Sequence, residues 1–257
     1  MNEFPARAGS IPIAWHGTVG STNAEALALA VSGERGPLFI ATEAQSAGRG
    51  RRGREWISQP GNLHATLLIA DPASPSLSPQ LCFVAALALH DAVLDSCPGL
   101  APARLKLKWP NDLLLDGKKV AGILVEGNAI GAKELVVAVG FGVNCKHHPS
   151  ETQFPAVDFA EAGFALLPST LLVHLGTRWE GRIFEWKRGE GFAATRAAWL
   201  LRASGVGIEI EVRLPHESLA GVFESIGDDG ALVLRGQNGA QQMISAGDVF
   251  PLDAKAG

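Results

Sequence analysis

Of 257 residues only three are cysteine, Cys82, Cys97 and Cys145, and no two are spaced as CxxC. An odd count without that spacing suits a reducing compartment, the cytoplasm, better than a disulfide framework. Long apolar runs are missing too: nothing approaches the roughly 18 residues that a membrane span needs. The stretch 1–10, with Glu3 and Arg7, has no apolar segment of signal-peptide length, so no membrane partner is expected. No sign of charge dominates: 22 Lys+Arg against 26 Asp+Glu gives a net charge of −4, which excludes a polycation and disfavours broad nucleic-acid binding. There is no repeat of solenoid length. What is present is an ordinary globular composition, 47% hydrophobic and 19% charged, enough for a sizeable core in one large domain and one small one.

Along the chain, a helix is predicted over 21–30, where Thr22 precedes Glu25 as in a capping box and Ala26, Leu27, Leu29 and Ala30 form an apolar face; Gly33 stops it. Strands over 38–42 and 62–69 flank a polar loop, 45–55. The segment 71–79 holds three prolines and three serines and reads as a connection rather than an element. From 80 to 95, Leu81, Val84, Ala85, Ala88, Leu89 and Val93 recur at helical spacing, predicting a helix packed on the sheet. Leu105, Leu107 and Trp109 alternate with Lys106 and Lys108, a strand with one solvated face ended by Pro110. Asp116-Gly117 predicts a tight hairpin turn between 113–115 and 120–126, and 135–139 reads as a central strand. The stretch 169–201 is helical with a break near 189–191, and short apolar runs from Ile208 onward have the spacing of a small β-barrel or sandwich. The domain boundary falls near 203–205.

Three segments carry chemistry. Gly48-Arg49-Gly50-Arg51-Arg52-Gly53-Arg54 puts four arginines in seven positions of an otherwise acidic protein. Its glycines permit close approach of backbone N–H groups and its guanidinium groups suit bidentate contacts, a fit to an anionic small molecule. A solvated basic loop or a sequence-independent RNA contact would use the same residues. Lys108-Trp109-Pro110-Asn111-Asp112 gathers a cation, an indole and a carboxylate at a strand end; alone, it also fits an Asx-closed strand end with Trp109 in the core. Lys119 enters an apolar run, where its ammonium must find an anion or lose its proton, unless it snorkels from a hairpin.

Together, Ser21-Thr22-Asn23, the stretch 44–54, Lys108 to Asp112, Lys118 to Leu124 and Gly140-Phe141-Gly142-Val143-Asn144 resemble, in order and spacing, the catalytic domain of biotin protein ligases. The resemblance covers 15–144 strongly; 207–250 looks like the small barrel that ends bacterial members, and 145–204 matches only in helical character. It implies an α/β (α+β) fold, a mixed sheet flanked by helices of the class II aminoacyl-tRNA synthetase type over 1–204, with an SH3-like barrel over 205–257. It further implies an ATP-dependent ligase: biotin and MgATP give biotinyl-5′-AMP and pyrophosphate, and a lysine of a biotin carboxyl carrier protein, that of acetyl-CoA carboxylase or a related carboxylase, then takes the biotinyl group. Cations are needed to bring a carboxylate to a polyanion's α-phosphate.

By the same resemblance, Ser21, Thr22 and Asn23 match the biotin-binding segment, with the helix-capping role of this segment kept alongside. Gln45, Arg49, Gly50 and Arg51 match further biotin or adenylate contacts. Lys119 matches the lysine touching biotin carboxylate and α-phosphate and, with Arg51, is the candidate catalytic cation. Arg49, Arg51, Arg54, Trp56, Asn111 and Asn144 are assigned to the nucleotide, Asn144 near the metal, and Trp56 and Trp109 as walls. Asp112, also placed in the catalytic set, has two roles open: orienting a cation of the arginine loop, or taking the incoming lysine's proton. The arginine loop is expected to be mobile when empty and ordered over the labile anhydride.

Departures from the family pattern carry expectations of their own. Only 20 residues precede Ser21, too few for a three-helix DNA-binding module, so the monofunctional type without operator binding is expected. The last barrel strand, 248–252, has no basic residue, which leaves a contribution of that domain to ATP binding in doubt. Rival readings are a lipoate or octanoyl ligase or transferase of the same fold, and a non-enzymatic nucleotide- or RNA-binding module. A homodimer through a sheet edge is open. No protein metal site is expected: His147-His148 lacks a Cys, Asp or Glu at zinc spacing, and Cys145, Trp179 and Trp186 are assigned to packing.

Overall fold

The computed structural model describes residues 4–130 and 134–252. Residues 1–3 of the N-terminal stretch and 253–257 of the expected barrel lie outside the described residues. The chain runs β1 (Arg7–Ala8), β2 (Ile11–Val19), α1 (Thr22–Val31), β3 (Leu38–Gln45), β4 (Leu63–Ala70), α2 (Leu81–Ser96), β5 (Leu105–Lys108), β6 (Asp112–Leu115), β7 (Lys118–Ile130) and β8 (Glu134–Val143). Then follow α3 (Pro168–Trp186), α4 (Phe192–Arg202), β9 (Glu209–Arg213), β10 (Ser218–Ile226), β11 (Leu232–Arg235), β12 (Gln241–Ile244) and β13 (Asp248–Pro251). The first eight strands form one mixed sheet in the order β1-β2-β3-β4-β8-β7-β6-β5, parallel between β2 and β3 and otherwise antiparallel. The last five form an antiparallel sheet, β12-β11-β10-β9-β13.

The pleat divides the large sheet into two unlike faces, because successive side chains point to opposite sides. On one, Phe39, Ala41, Leu63, Ala65, Leu67, Val137, Val139, Phe141 and Val143 are buried under α2 and α3 in the main core. On the other, Ile40, Leu68, Val136 and Ala138 meet Ala26 and Ala30 of α1 in a smaller cluster. That helix covers only part of its face. Farther along the same strands the alternation continues as Thr42, Thr66, Gly140 and Gly142, where only the first turn of α1 reaches, through Thr22 and Asn23.

Several expectations need correction. The predicted capping box does not form: Ser21 is the N-cap of α1 without a side-chain cap bond, and the Thr22 hydroxyl turns to Gln45 and Thr66 instead. The connection at 71–79 contains a 3₁₀ turn, Pro75–Gln80, leading into α2. That turn and α2 are together long and apolar enough to cross a membrane, but 67% of the window is buried inside the fold. The Lys106/Lys108 face is not solvated throughout, since Lys108 is buried. The hairpin turn forms as expected, with Asp116 at φ 51° and Gly117 at φ 78°. The helical break falls at a 3₁₀ turn, Lys187–Gly189, between α3 and α4.

Candidate active site

The uncovered part of the α1-side face floors a cavity of about 320 Å³. Every residue nominated from the sequence lines it: Ser21, Thr22, Asn23, Gln45, Arg49, Gly50, Arg51, Arg54, Trp56, Asn111, Asp112, Lys119 and Asn144. One end is lined by hydroxyl and amide groups. There the start of α1 brings Thr22 and Asn23 against the sheet, and Gln45 Oε1 accepts the Thr22 N–H at 2.8 Å while Gln45 Nε2 donates to Ser58 Oγ at 2.8 Å. Asn23 Nδ2 donates to Glu126 Oε2 at 2.8 Å, and the same oxygen lies 3.6 Å from Arg49. Close approach of α1 to the floor requires glycine, for a Cβ on Gly140 would stand 2.4 Å from Asn23 Oδ1.

The other end is ionic. Asp112 Oδ1 lies 2.6 Å from Lys119 Nζ and Oδ2 lies 3.5 Å from Lys108 Nζ. The pleat explains this cluster: Lys108 pairs with Asp112 and Asp112 with Gly122, all on the cavity face, and a bulge at Leu113/Leu114 sets Lys119 opposite Leu114 on that same face. Burial pushes the Asp112 carboxyl up, but the charges of Lys119 and Lys108 outweigh it and hold the carboxyl below its usual range. Burial pulls Lys108 below the usual lysine range, with Asp112 opposing. Lys108 also sits 4.3 Å from the Phe154 ring centroid, a cation–π contact. It belongs to the motif singled out above but was not nominated as a site residue; the pleat alternation that aims it with Asp112 was the available signal.

Of the two roles left open for Asp112, the structure bears on both. Asp112 pairs with the two lysines, the charge of Arg51 also acts on it, and its lowered pKa makes it a weak base. Asn111, expected on the nucleotide, has its amide occupied within the protein: Oδ1 accepts from Arg51 at 3.3 Å and Nδ2 donates to the Ile123 carbonyl at 2.6 Å. It braces Arg51, whose guanidinium burial pushes down from its usual range without removing its charge.

The arginine loop forms a short 3₁₀ turn, Arg51–Gly53, and leans on the C-terminal unit. Arg54 donates to Asp248 Oδ1 at 2.8 Å, Arg52 reaches Asp248 Oδ2 at 3.4 Å, and Arg51 lies 3.4 Å from the Gly247 carbonyl. Asp248 and Phe250 themselves line the cavity. The last strand, which has no basic residue, reaches the cavity through an acid and an aromatic. Beyond the loop, the Trp56 ring lies on the floor between β7 and β8, where a Cβ on Gly142 would come within 2.4 Å of it and one on Gly122 within 3.2 Å. Its Nε1 is buried without a hydrogen-bond partner, and Lys119 Nζ stands 5.5 Å from its ring centroid. Trp109 is nearly fully buried and donates to the Gly230 carbonyl at 3.1 Å. Asn144 Nδ2 donates to the Val157 carbonyl at 3.2 Å, leaving its Oδ1 as an acceptor.

Two groups nearby are not part of this cluster. Cys82 donates its thiol to the Pro110 carbonyl, and burial pushes it up to about 12, so it stays protonated. His148 has acidic neighbours from farther along the chain: Asp158 Oδ2 lies 2.7 Å from Nδ1 and Glu161 Oε2 lies 3.6 Å from Nε2, all within 4.8 Å of one another. They come from ten residues or more downstream, outside zinc-motif spacing. Asp158 also accepts the Glu161 N–H at 2.7 Å, so the three side chains sit on one hydrogen-bonded turn.

The family model described as the biotin/lipoate A/B protein ligase family matches residues 18–144, and that of the biotin protein ligase C-terminal domain matches residues 205–250. A biotin–acetyl-CoA-carboxylase ligase from Paracoccus denitrificans is 44% identical over 239 residues, 90% of this chain and 96% of the relative. A bifunctional ligase/repressor from Bacillus subtilis is 30% identical over 238 residues, 90% of this chain and 72% of the relative. The fold is also similar to that of the biotin protein ligase from Aquifex aeolicus in complex with biotin and ATP, at a TM-score of 0.76 and 23% identity over 93% of this chain and 97% of that one.

Proposed function

The chain belongs to the biotin protein ligase family, and from that premise we propose how its cavity carries the reaction. The protein is an ATP-dependent ligase that joins biotin to a carrier protein through biotinyl-5′-AMP. The single observation that carries the site assignment is the polarity of one cavity: hydroxyl and amide groups at one end, and a lysine–aspartate–lysine cluster with Arg51 at the other. The ureido ring of biotin fits the first end and its carboxylate the second. In the first step a biotin carboxylate oxygen bonds to the α-phosphorus of ATP as the bond to the bridging oxygen breaks and pyrophosphate leaves. Lys119 and Arg51 offset the repulsion between the anions and stabilise charge on the phosphoryl oxygens. Asp112 holds Lys119 and Lys108 in place, at 2.6 Å and 3.5 Å. Trp56 and Asn144 mark the nucleotide end, and Arg54, tied to Asp248, sits at its rim.

In the second step the ε-amine of a carrier lysine bonds to the acyl carbon as its bond to the phosphate oxygen breaks, AMP leaves, and the amine proton passes to the departing phosphate or to water. A covalent acyl-enzyme, the route of a transferase, needs an activated nucleophile; the cysteine beside the cavity is held protonated, which favours the adenylate. Magnesium fits as a companion of the nucleotide. Asn144, through the amide oxygen that its bond to Val157 leaves free, would hold the ion, which would neutralise phosphate charge. The carrier domain of acetyl-CoA carboxylase is the proposed acceptor. Absence of operator-DNA binding, a homodimer and a cytoplasmic setting are finer expectations that DNA titration, sedimentation and cell fractionation test. The deciding assay is incubation with biotin, MgATP and a carrier domain, read by intact mass; added biotinyl mass supports the reading, and pyrophosphate release with lipoate but not biotin would overturn it.

A further inference from the structure

A stretch of chain outside every helix and strand walls the cavity on the side of the lysine cluster. Between β8 and α3, Pro149, Glu151, Thr152, Gln153 and Phe154 line it, and Phe154 sets its ring 4.3 Å from Lys108 Nζ. With no ladder of its own, such a segment stands where its two ends are held. The far end is held by the strand of Lys119, whose N–H donates to the Pro155 carbonyl at 2.7 Å and whose carbonyl accepts the Val157 N–H at 3.0 Å. The near end is held differently. The β4–β8 ladder ends at Leu63 and Val143, and one residue outside it Asn62 continues with its side chain. Asn62 Oδ1 accepts the Lys146 and His147 N–H groups at 2.9 and 3.1 Å, and Nδ2 donates to the His147 carbonyl at 2.8 Å. One amide thus supplies the donor and the acceptor that a neighbouring peptide would offer. Gly61 admits the approach: at φ 96° it faces the Lys146 side chain, from which a Cβ would stand only 3.1 Å. A second tie follows at His148, whose Nδ1 lies 2.7 Å from Asp158 Oδ2. Asn62 is buried and does not line the reaction cavity.

We propose that Asn62 is a positioning residue for the nucleotide side of the reaction: it pins the main chain at 146–147 and so sets where the wall meets the lysine cluster. The proposal rests on the reading of the cavity as a biotin and ATP site and adds to it a residue outside that cavity. The place of the pin decides which substrate feels it. Asn144, at the nucleotide end, lies two positions before the pinned Lys146, and Phe154 lies over Lys108. The hydroxyl and amide end takes its bonds elsewhere, Thr22 with Gln45 and Thr66, Asn23 with Thr66, Leu124 and Glu126. Releasing the near end of the wall should therefore disturb the binding of ATP and spare that of biotin.

Asn62→Ala removes all three bonds. The expected result is a KM for ATP raised about ten-fold, with the KM for biotin within about two-fold of wild type. Asn62→Asp keeps the oxygen that accepts both N–H groups but sets a second oxygen against the His147 carbonyl, so its KM for ATP should fall between the two. Limited proteolysis reports on the pin itself: trypsin should cut the folded alanine variant after Lys146 about ten-fold faster than wild type. A KM for biotin raised as much as that for ATP, or neither raised, overturns the proposal, as does cleavage after Lys146 at the wild-type rate. Wild type without biotin-dependent ATP turnover is instead a failure of the site reading, and the cleavage comparison still tests the pin. Asn62→Ser, whose hydroxyl can accept one of the two N–H groups, gives the same comparisons where alanine does not fold.

Discussion

On the face under α2 and α3, strands β4 and β8 present Leu63, Ala65, Leu67, Val137, Val139 and Phe141; one residue along, the same strands present His64, Thr66, Gly140 and Gly142. The first set is dry and apolar and interdigitates with two helices. The second set is polar or lacks a side chain, and what it leaves open is the cavity. Stability and chemistry therefore share a backbone but are separated by the pleat, so a substitution can act on one with little effect on the other. Gly140 and Gly142 make the contrast sharpest. Placed on the opposite face they would be packing defects, whereas here they are the space that Asn23 and Trp56 occupy.

The largest effect should come from the cavity face. Lys119→Ala removes the cation paired with Asp112, and the expected loss in biotin-dependent pyrophosphate release is about a hundred- to a thousand-fold. The circular dichroism spectrum should stay native, because Lys119 enters no apolar core. Full activity would refute its assignment.

The second pair of variants sets face against face. Leu67→Ala, on the helix-covered side, should cost about 2 to 5 kcal/mol of unfolding free energy and leave both KM values near wild type. Gly142→Ala should do the reverse. Its Cβ would press on the Trp56 ring, so KM should rise about ten-fold, as for one lost strong contact, with little change in Tm. Urea titration beside steady-state kinetics checks both, and a KM change in Leu67→Ala would break the comparison.

How much of this was legible beforehand follows from the range of each interaction. Local signals were readable: the period-two strands, the Asp116-Gly117 turn, the helix over α2, and motifs whose residues the fold collects in one cavity. Long-range pairings were not. Nothing near Asp248 in sequence announces that it will meet Arg52 and Arg54, nearly two hundred residues away, nor that Phe250 will face Lys108. The failed capping box is a case where tertiary bonding won: Thr22 and Glu25 have the local spacing, but Gln45 and Thr66 offer the Thr22 hydroxyl buried partners. Lys108 was misjudged because alternation gives the face of a residue and not what covers that face. The bulge that aims Lys119 has no local sequence mark at all.

Away from the cavity, the core side carries a second ionic cluster, around Asp91. Burial alone would push the Asp91 carboxyl up, but hydrogen bonds from His90 and Arg182 and the charges of Arg182 and Arg202 outweigh it and set its pKa at about 2. A carboxyl depressed on folding adds stability above its unfolded pKa, near 4, and loses that contribution as pH falls through about 2. Asp91→Asn should thus lower stability at pH 7 by about 1 to 2 kcal/mol after allowance for solvent screening. The gap from wild type should close between about pH 4 and pH 2. Thermal melts across that range are the check, and a gap independent of pH would assign the effect to packing.

The smallest effect concerns the rim, where the comparison between faces is least complete because the arginine loop belongs to neither. Asp248 holds Arg52 and Arg54 from the C-terminal unit, in ion pairs with arginine side chains 34% and 50% exposed. Pairs this open to water contribute at most about 1 kcal/mol, so Asp248→Asn should raise the KM for ATP by no more than about five-fold and leave kcat unchanged. Salt sharpens the reading. If the effect is electrostatic, it should shrink toward nothing near 1 M salt, where the screening length falls to about 3 Å, and trypsin should cut the 49–54 bonds faster in the variant at low salt. An unchanged KM at low salt would mean that the sheet side alone, through Asn111 on Arg51, holds the loop in place.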